Sequence, residues 1–214
     1  MEVTERARIR EADPSALGLA AFAVATFLAG LYNVGANVPL TAFFAMALCY
    51  GGVAQFVAGL FEYRRENTFG ATVFTSYGAL YVAAAGLTWM VVTDRITAGT
   101  WRLGFGWILL AYAIVNLGFL IESAWISKAL ALMFLGIEIT EILLFIGCFA
   151  GQAAGTGVVA IGGAIGILTA VAAFYAAWAA LLNSAGRDVL PVGTPMLQPD
   201  ATQAAFHLGR RRAA

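Results

Sequence analysis

Two glutamates, Glu138 and Glu141, stand apart from the rest of this sequence because they interrupt an apolar run from about residue 130 to 150. Their spacing of three places them on roughly one face of a helix. An acidic side chain at the centre of a membrane helix costs about 2.5–3.5 kcal/mol, and two carboxylates so close in a low dielectric should not both ionise. We therefore expect at least one to be protonated at neutral pH. The pair is a candidate proton relay; a protonated pair that hydrogen-bonds across a helix or subunit contact is the structural alternative.

Uncharged polar side chains are also dispersed through the apolar runs. Such groups can hydrogen-bond a small polar solute without holding it tightly, which a conducting path requires. A lone Ser or Thr in a membrane helix more often bonds to its own backbone, so that alternative stays open. We expect a substrate path lined by Asn33, Gln55, Thr75, Ser76 and Thr140. The full set of these polar residues is Thr26, Asn33, Gln55, Thr75, Ser76, Tyr77, Asn116, Thr140, Thr169, Tyr175 and Asn183.

The residues that most enzymes need are missing. The single histidine, His207, lies in the C-terminal tail, so Ser76 and Ser123 have no histidine to activate them. Nucleotide-binding, zinc-protease and hydrolase motifs do not occur in suitable contexts, and Cys49 and Cys148 lie in apolar runs without metal-ligand spacing. We expect no enzymatic activity, no cofactor and no metal. A formal net charge of zero gives no reason to expect a nucleic-acid partner.

The amino-acid composition indicates whether water or lipid surrounds the protein. Of the 214 residues, 61% are hydrophobic and 11% are charged, and the mean hydropathy is +0.84. A water-soluble protein of this size would lack the polar surface to cover itself, so the surroundings must be lipid. Apolar runs of about 20 residues, the length that crosses a bilayer, occur near 15–35, 40–61, 71–93, 103–121, 130–150 and 158–182. The sequence predicts an all-α membrane protein with six transmembrane helices.

The positions of Lys and Arg predict the orientation. Ten of the twelve fall on one side of the spans, whereas Arg95 and Arg102 fall on the other. Because positive loops stay inside, we expect a cytoplasmic N-terminal segment (1–14), a transmembrane domain (15–183) and a flexible cytoplasmic tail (184–214) in the cytoplasmic (inner) cell membrane. The ten residues are Arg6, Arg8, Arg10, Arg64, Arg65, Lys128, Arg187, Arg210, Arg211 and Arg212.

Five motifs follow one another along the chain. They are DPSALG from residue 13, LYNVG from 31, YGGVAQFVAGLFE from 50, NTFGATVFTSYG from 67 and LNSAGRDVLPVG from 182. In this order they resemble the acetate uptake transporter family, also called the succinate–acetate permease family, over about residues 13 to 193. The resemblance implies a homo-hexamer of six-helix protomers, each with its own pathway for acetate and related small carboxylates.

The resemblance also implies an apolar constriction. The family builds it from an aromatic residue in helix one, the Tyr of FTSYG and an aliphatic residue in helix five, which by alignment are Phe22, Tyr77 and Ile137. Each lies a similar distance into its helix, at a depth of roughly 10 Å, and three bulky residues at one level can form a dewetting gate; ordinary core packing is the alternative. Where the family has NPxPLGL, this chain has DPSALGL, which leaves substrate preference at that mouth open. Glu138 and Glu141 are not part of the family pattern.

The functional expectation is a transporter or channel for small carboxylates, with acetate first and succinate or other short acids next. No Lys or Arg lies near the middle of a span, so an acetate anion would find no counter-charge there, and passage with a proton is favoured. The main alternative is a channel for a small neutral solute such as urea, ammonia or water. A third is a non-transporting membrane scaffold, which a sealed protomer would favour.

Overall fold

The computed structural model describes residues 12–184, 186 and 189–197. Within these residues all regular structure is helical, and six helices are long and apolar enough to cross a membrane. We number them α1 to α6: Ser15–Asn33, Leu40–Arg64, Thr68–Val92, Ala98–Ser123, Lys128–Phe149 and Gly157–Asn183. The predicted all-α, multi-pass membrane fold with six spans is confirmed.

Three helices begin earlier than the apolar runs predict. The side chains of Asn67, Thr97 and Ser127 each accept a hydrogen bond from the backbone N–H three residues later, and these caps start α3, α4 and α5. The difference matters most in α4, where the run was expected to start near residue 103. Because α4 begins at Ala98, Trp101 and Arg102 lie within its first turns.

α2 changes its winding partway along. A π-helical segment, Ala47–Ala54, separates the α-helical segments Leu40–Met46 and Gln55–Arg64. Beyond it, Gly59 packs against α3 so closely that a Cβ there would lie 2.6 Å from the backbone nitrogen of Thr75. Small residues on α2 thus bring the backbones of α2 and α3 together.

The six helices form a closed ring. Each helix packs beside the next along the chain, and α6 returns to pack along α1. The α1–α6 contact depends on Gly30, where a Cβ would lie 2.9 Å from the carbonyl oxygen of Gly163 and 2.8 Å from Cγ1 of Ile167. The ring surrounds an interior in which Phe22 and Tyr77 are almost fully buried.

The outer surface of the ring is apolar. Exposed fractions reach 70% for Ile114 on α4, 60% for Leu132 on α5 and 66% for Leu168 on α6. In water such a surface would be costly, whereas in a bilayer it suits contact with lipid or with another membrane helix.

Part of the C-terminal segment is tied to the ring. The backbone N–H groups of Lys128 and Ala129 donate to the carbonyls of Thr194 and Val192, and the carbonyl of Ala124 accepts from residues 196 and 197. The first amides of a helix need acceptors from outside it, and residues 189–197 supply them for α5. Residues 189–197 thus contact the ring, and flexibility of the tail stays a prediction. His207 and the arginines at 6, 8, 10, 187 and 210–212 lie outside the described residues.

Candidate functional site

Three cavities follow one another through the helix ring. The proximal cavity, about 220 Å³, is lined by the first turns of α1, α3 and α5 and includes Ser15 and Asn67. The central cavity, about 70 Å³, lies farther along the same helices and includes Thr26 and Glu141. The distal cavity, about 180 Å³, lies at the other end and includes Arg102. The central and distal cavities share three lining residues, Asn33, Phe105 and Leu144.

The boundary between the proximal and central cavities coincides with the expected constriction. On α1, α3 and α5 the first residues to line the central cavity are Phe22, Tyr77 and Ile137. Each lies three residues, roughly 4.5 Å along the helix axis, past the last residue on the same helix that lines the proximal cavity. Those last residues are Leu19, Phe74 and Phe134.

The constriction residues close this boundary with side chains. The edge of one ring meets the face of the other between Phe22 and Tyr77, with centroids 5.4 Å apart and planes at 77°. Phe22, Tyr77 and Ile137 are 5%, 2% and 5% exposed. The structure therefore brings all three predicted residues to the same layer between two cavities; gating by them stays a prediction.

A hydrogen-bond chain runs from this layer to the two glutamates. The Tyr77 hydroxyl lies 2.9 Å from Oδ1 of Asn116 and 3.2 Å from Oε1 of Glu141. The Asn116 amide nitrogen donates to the Phe134 carbonyl at 3.2 Å and to Oε2 of Glu138 at 2.7 Å. The two carboxyl groups are thus linked through Tyr77 and Asn116.

Counting protons along this chain indicates the state of Glu141. The Asn116 amide nitrogen faces two acceptors, so its oxygen faces Tyr77 and receives the single hydroxyl proton. The contact between Tyr77 and Glu141 is then a hydrogen bond only if Glu141 carries its own proton. Oε2 of Glu141 is buried without a partner among the described residues, which would be costly for an ionised carboxylate. The geometry therefore fits a neutral Glu141, which lines the central cavity, and a Glu138 that accepts from an amide.

The expected path residues occupy two kinds of position. Asn33 and Thr140 line the central cavity. Gln55, Thr75 and Ser76 line none of the three cavities. Thr75 instead donates to the backbone of its own helix at 2.7 Å, the behaviour typical of a lone threonine.

Other polar residues of the central cavity were not assigned to the path from the sequence. The Thr26 and Tyr81 hydroxyls lie 2.5 Å apart, both residues line the cavity, and Thr169 joins them from α6. Asn116 was recognised only as a polar residue in an apolar helix. Its pairing with Tyr77 could not be inferred because it depends on how α3, α4 and α5 are rotated against one another.

Acidic side chains at the proximal mouth link residues at the ends of α1, α2 and α3. Glu62 is fully buried and accepts from the Ser15 hydroxyl at 2.6 Å and from the Asn67 amide at 2.8 Å. Asp13, which replaces the family's asparagine, pairs with Arg65 at 2.5 Å. Partial burial alone would raise the pKa of the Asp13 carboxyl, but hydrogen bonds from Ser15 and the charge of Arg65 bring it below its ordinary 3.8. Asp13 is therefore ionised at neutral pH.

Comparison with known proteins places the fold among membrane transport proteins. The succinate-acetate/proton symporter SatP of Escherichia coli strain K12 is 34% identical over 183 residues, which cover 85% of this chain and 95% of that protein. Ammonia transport outward protein 2 of Saccharomyces cerevisiae is 31% identical over 177 residues, covering 79% and 61%. The solved structure of the bacterial acetate channel SatP matches with a TM-score of 0.78 and 34% identity, over 86% of this chain and all of that one.

The comparisons also test the expectation that the chain is not an enzyme. The relatives named above are a symporter, an outward transport protein and a channel, so a non-enzymatic membrane protein is confirmed. The GPR1/FUN34/yaaH family matches residues 2–196. With this match and a shared fold at 34% identity, the resemblance of the motifs to the succinate–acetate permeases is confirmed, and the chain belongs to the GPR1/FUN34/yaaH family.

Proposed function

We propose that the protein carries acetate and related small carboxylates across the cytoplasmic membrane together with a proton, along a path within each protomer. The observation that carries this proposal is the series of three cavities. One layer, formed by Phe22, Tyr77 and Ile137, separates the proximal cavity from the other two. The similarity to a symporter and a channel named for acetate supports the choice of substrate.

The central cavity has the size and lining for a small acid. Since one water needs roughly 10–15 Å³ of such space, a volume of about 70 Å³ holds a few waters or one acetate. Its wall is mainly apolar, with the hydroxyls of Thr26, Thr140 and Tyr81 among its polar groups. These groups can hydrogen-bond a carboxyl group in passing while the apolar wall accepts the methyl group.

Proton coupling is supported by the charges around this cavity. Among the described residues its lining contains no Lys or Arg, so an acetate anion would lose its hydration without gaining a counter-charge there. The neutral acid avoids this cost. Glu141, the carboxyl group that lines the cavity, can exchange a proton with the passing acid, and the chain through Tyr77 and Asn116 connects it to Glu138.

The layer between the proximal and central cavities acts as the gate in this scheme. Phe22, Tyr77 and Ile137 leave an apolar barrier that water does not cross until the side chains move. Opening this layer would join the proximal cavity to the central one, which already adjoins the distal cavity.

Uptake of radiolabelled acetate into proteoliposomes tests the function directly. We expect uptake above that of protein-free liposomes, rising as the external pH falls and collapsing when a protonophore removes the gradient. Uptake that ignores both pH and protonophore would contradict the coupling, and vesicles as tight as empty ones would contradict transport altogether.

A channel for a small neutral solute is the second candidate, with ammonia foremost and urea or water as further possibilities. The cation-free central cavity and the similarity to an ammonia transport protein favour it. Competition separates the two candidates: methylammonium or urea flux that excess acetate leaves unchanged would favour the neutral-solute channel, whereas inhibition by acetate supports a shared acid path.

The arrangement in the membrane is part of the same proposal. Both termini face the cytoplasm, as the distribution of positive charge favours, and the protomers assemble as a homo-hexamer, as the family resemblance implies. The apolar side chains on α4, α5 and α6 offer surfaces for such contacts. The mass of the detergent-solubilised particle, measured by light scattering, distinguishes six protomers from fewer.

A further inference from the structure

The distal cavity holds two buried hydrogen-bond donors that nothing accepts. Nε1 of Trp101 and Nε of Arg102 are both buried, and neither has a partner among the residues that the structure describes. Both residues line the distal cavity. A buried donor without an acceptor costs free energy, and a ligand that supplies acceptors would remove that cost.

From these donors we propose that the distal cavity is a binding site for a small carboxylate anion, with the Arg102 guanidinium as its counter-charge and the Trp101 indole N–H as a second donor. The proposal rests on the proposed function for the choice of acetate as the ligand. It adds a place where the acid is captured before it enters the central cavity.

The charge of Arg102 is not used elsewhere in the described part of the chain. The ion pair found there joins Asp13 to Arg65, at the opposite end of the ring. Arg102 also lies near the N-terminus of α4, where the helix dipole disfavours a cation. Helix stability therefore does not explain an arginine at this position, whereas attraction of an anion does.

Arg95, the other cation at this end, differs in both respects. Its guanidinium lies over the ring of Trp89, 4.8 Å from the centroid, and it does not line the distal cavity. A cation–π contact accounts for its position. Arg95 is therefore a matched control for charge at the same end of the molecule.

The shape of the cavity favours a monocarboxylate with a short apolar tail. A guanidinium presents paired N–H groups that fit the two oxygens of a carboxylate. The Trp101 ring is held by Phe105, stacked at 5.5 Å, and by Tyr32, edge-on at 6.5 Å, so the indole donor is fixed. The remaining walls include Leu40 and Val159, which can contact an alkyl group.

The site is continuous with the path. Asn33, Phe105 and Leu144 line both the distal and central cavities, so a carboxylate released from Arg102 can take the proton of Glu141 at the wall of the cation-free central cavity and continue as the neutral acid. Capture by charge and passage as the neutral acid are thereby separated in space.

Binding is tested with the full-length protein in detergent, by titrating sodium acetate at constant ionic strength and following tryptophan emission. The component that Trp101→Phe removes reports on this site. We expect saturation in the wild type and in Arg95→Gln, and half-saturation shifted upward by about tenfold or more in Arg102→Gln, since a charge-assisted hydrogen bond is lost. Acetamide, a neutral analogue, should give no saturation. As a folding control, Arg102→Gln must elute as a single particle with wild-type thermal stability. If it does not, Arg102→Lys is measured instead. Lysine keeps the charge but not the paired N–H geometry, so the half-saturation should shift upward by less.

Three results would overturn the site: an unchanged half-saturation in the folded Arg102 variant, equal competition by chloride, or equal binding of acetamide. Transport gives an independent result. Arg102-dependent binding in vesicles that do not pass acetate would refute the proposed function and leave the site standing. Acetate uptake whose KM is the same in Arg102→Gln as in the wild type would refute the site and leave the function standing.

Discussion

At the scale of single residues, burial of the Glu141 carboxyl group is compatible with the fold because the group can keep its proton and donate to the Tyr77 hydroxyl. Tyr77 in turn donates to Asn116, whose amide reaches Glu138. Two members of this buried network, Tyr77 and Glu141, also line the central cavity. The network that stabilises the fold therefore includes the residue, Glu141, that we propose exchanges the proton.

Glu141→Gln separates these two roles. Glutamine stays neutral and its amide can still donate to Tyr77, so we expect thermal stability within about 1 kcal/mol of the wild type, the size of one hydrogen bond. Glutamine cannot exchange a proton, so acetate uptake should lose its rise with falling pH. The measurement is uptake between pH 5 and 8, roughly the range over which acetate coupling is visible, with the melting temperature in detergent as the folding control. A wild-type pH profile in this variant would remove Glu141 from the coupling.

The sequence predicts these residues one at a time but not as a network. Two acidic residues in an apolar run are conspicuous, and so is an asparagine in another. Asn116 meets Tyr77 because of how α4 is rotated against α3. The near-uniform hydrophobicity of both helices does not specify that rotation. For the same reason the sequence does not show which polar residues face the interior: Gln55 and Thr75, expected in the path, line none of the three cavities described above.

At the scale of helices, the proposed gate needs α1, α3 and α5 to present their bulky residues at one height. We expect Phe22→Ala to raise acetate flux because it removes one side of the apolar barrier. Leu168→Ala is the control, because Leu168 is 66% exposed and lines none of the three cavities. Stopped-flow acidification of the vesicle lumen measures the flux, and gel filtration checks assembly. Flux in Phe22→Ala equal to that in the control would contradict the gate.

Helix contact also makes a prediction at Gly30. An added methyl group would lie within 3 Å of Gly163 and Ile167, so Gly30→Ala should force α1 away from α6 and destabilise the protein by about 1–3 kcal/mol. Gly118→Ala is matched to it, since nothing lies within 4 Å of a Cβ there; it should be neutral or stabilising through helix propensity. Thermal unfolding of both variants in detergent tests this prediction. Equal melting temperatures would show that the α1–α6 contact tolerates the methyl group.

The sequence predicts the number and positions of the helices better than it predicts their internal winding. Their number and approximate positions follow from the apolar runs, and the caps at Asn67, Thr97 and Ser127 explain the earlier starts. The π-helical segment Ala47–Ala54 carries no such signal. Its hydrogen-bond pattern is set by how α2 packs on its neighbours, which composition does not encode.

At the scale of the whole molecule, orientation in the membrane is the prediction that follows from charge. Glu66 and Asp94 both lie in exposed turns with positive φ, of 60° and 55°, at opposite ends of α3. In a variant with both native cysteines replaced by alanine, a membrane-impermeant maleimide added to intact cells should label Asp94→Cys and not Glu66→Cys. The reverse pattern would place the termini outside.

Residues 189–197 have a consequence for how the protein is truncated or tagged. They accept from the first amides of α5 and contact the turn at Ala124, so they serve as an N-terminal clasp for a helix that carries both glutamates. A purification tag appended behind Leu197 leaves the clasp in place. A deletion that starts at residue 189 removes the clasp. The first turn of α5 then loses its hydrogen-bond acceptors, and we expect the position of Ile137 on the same helix to become less fixed.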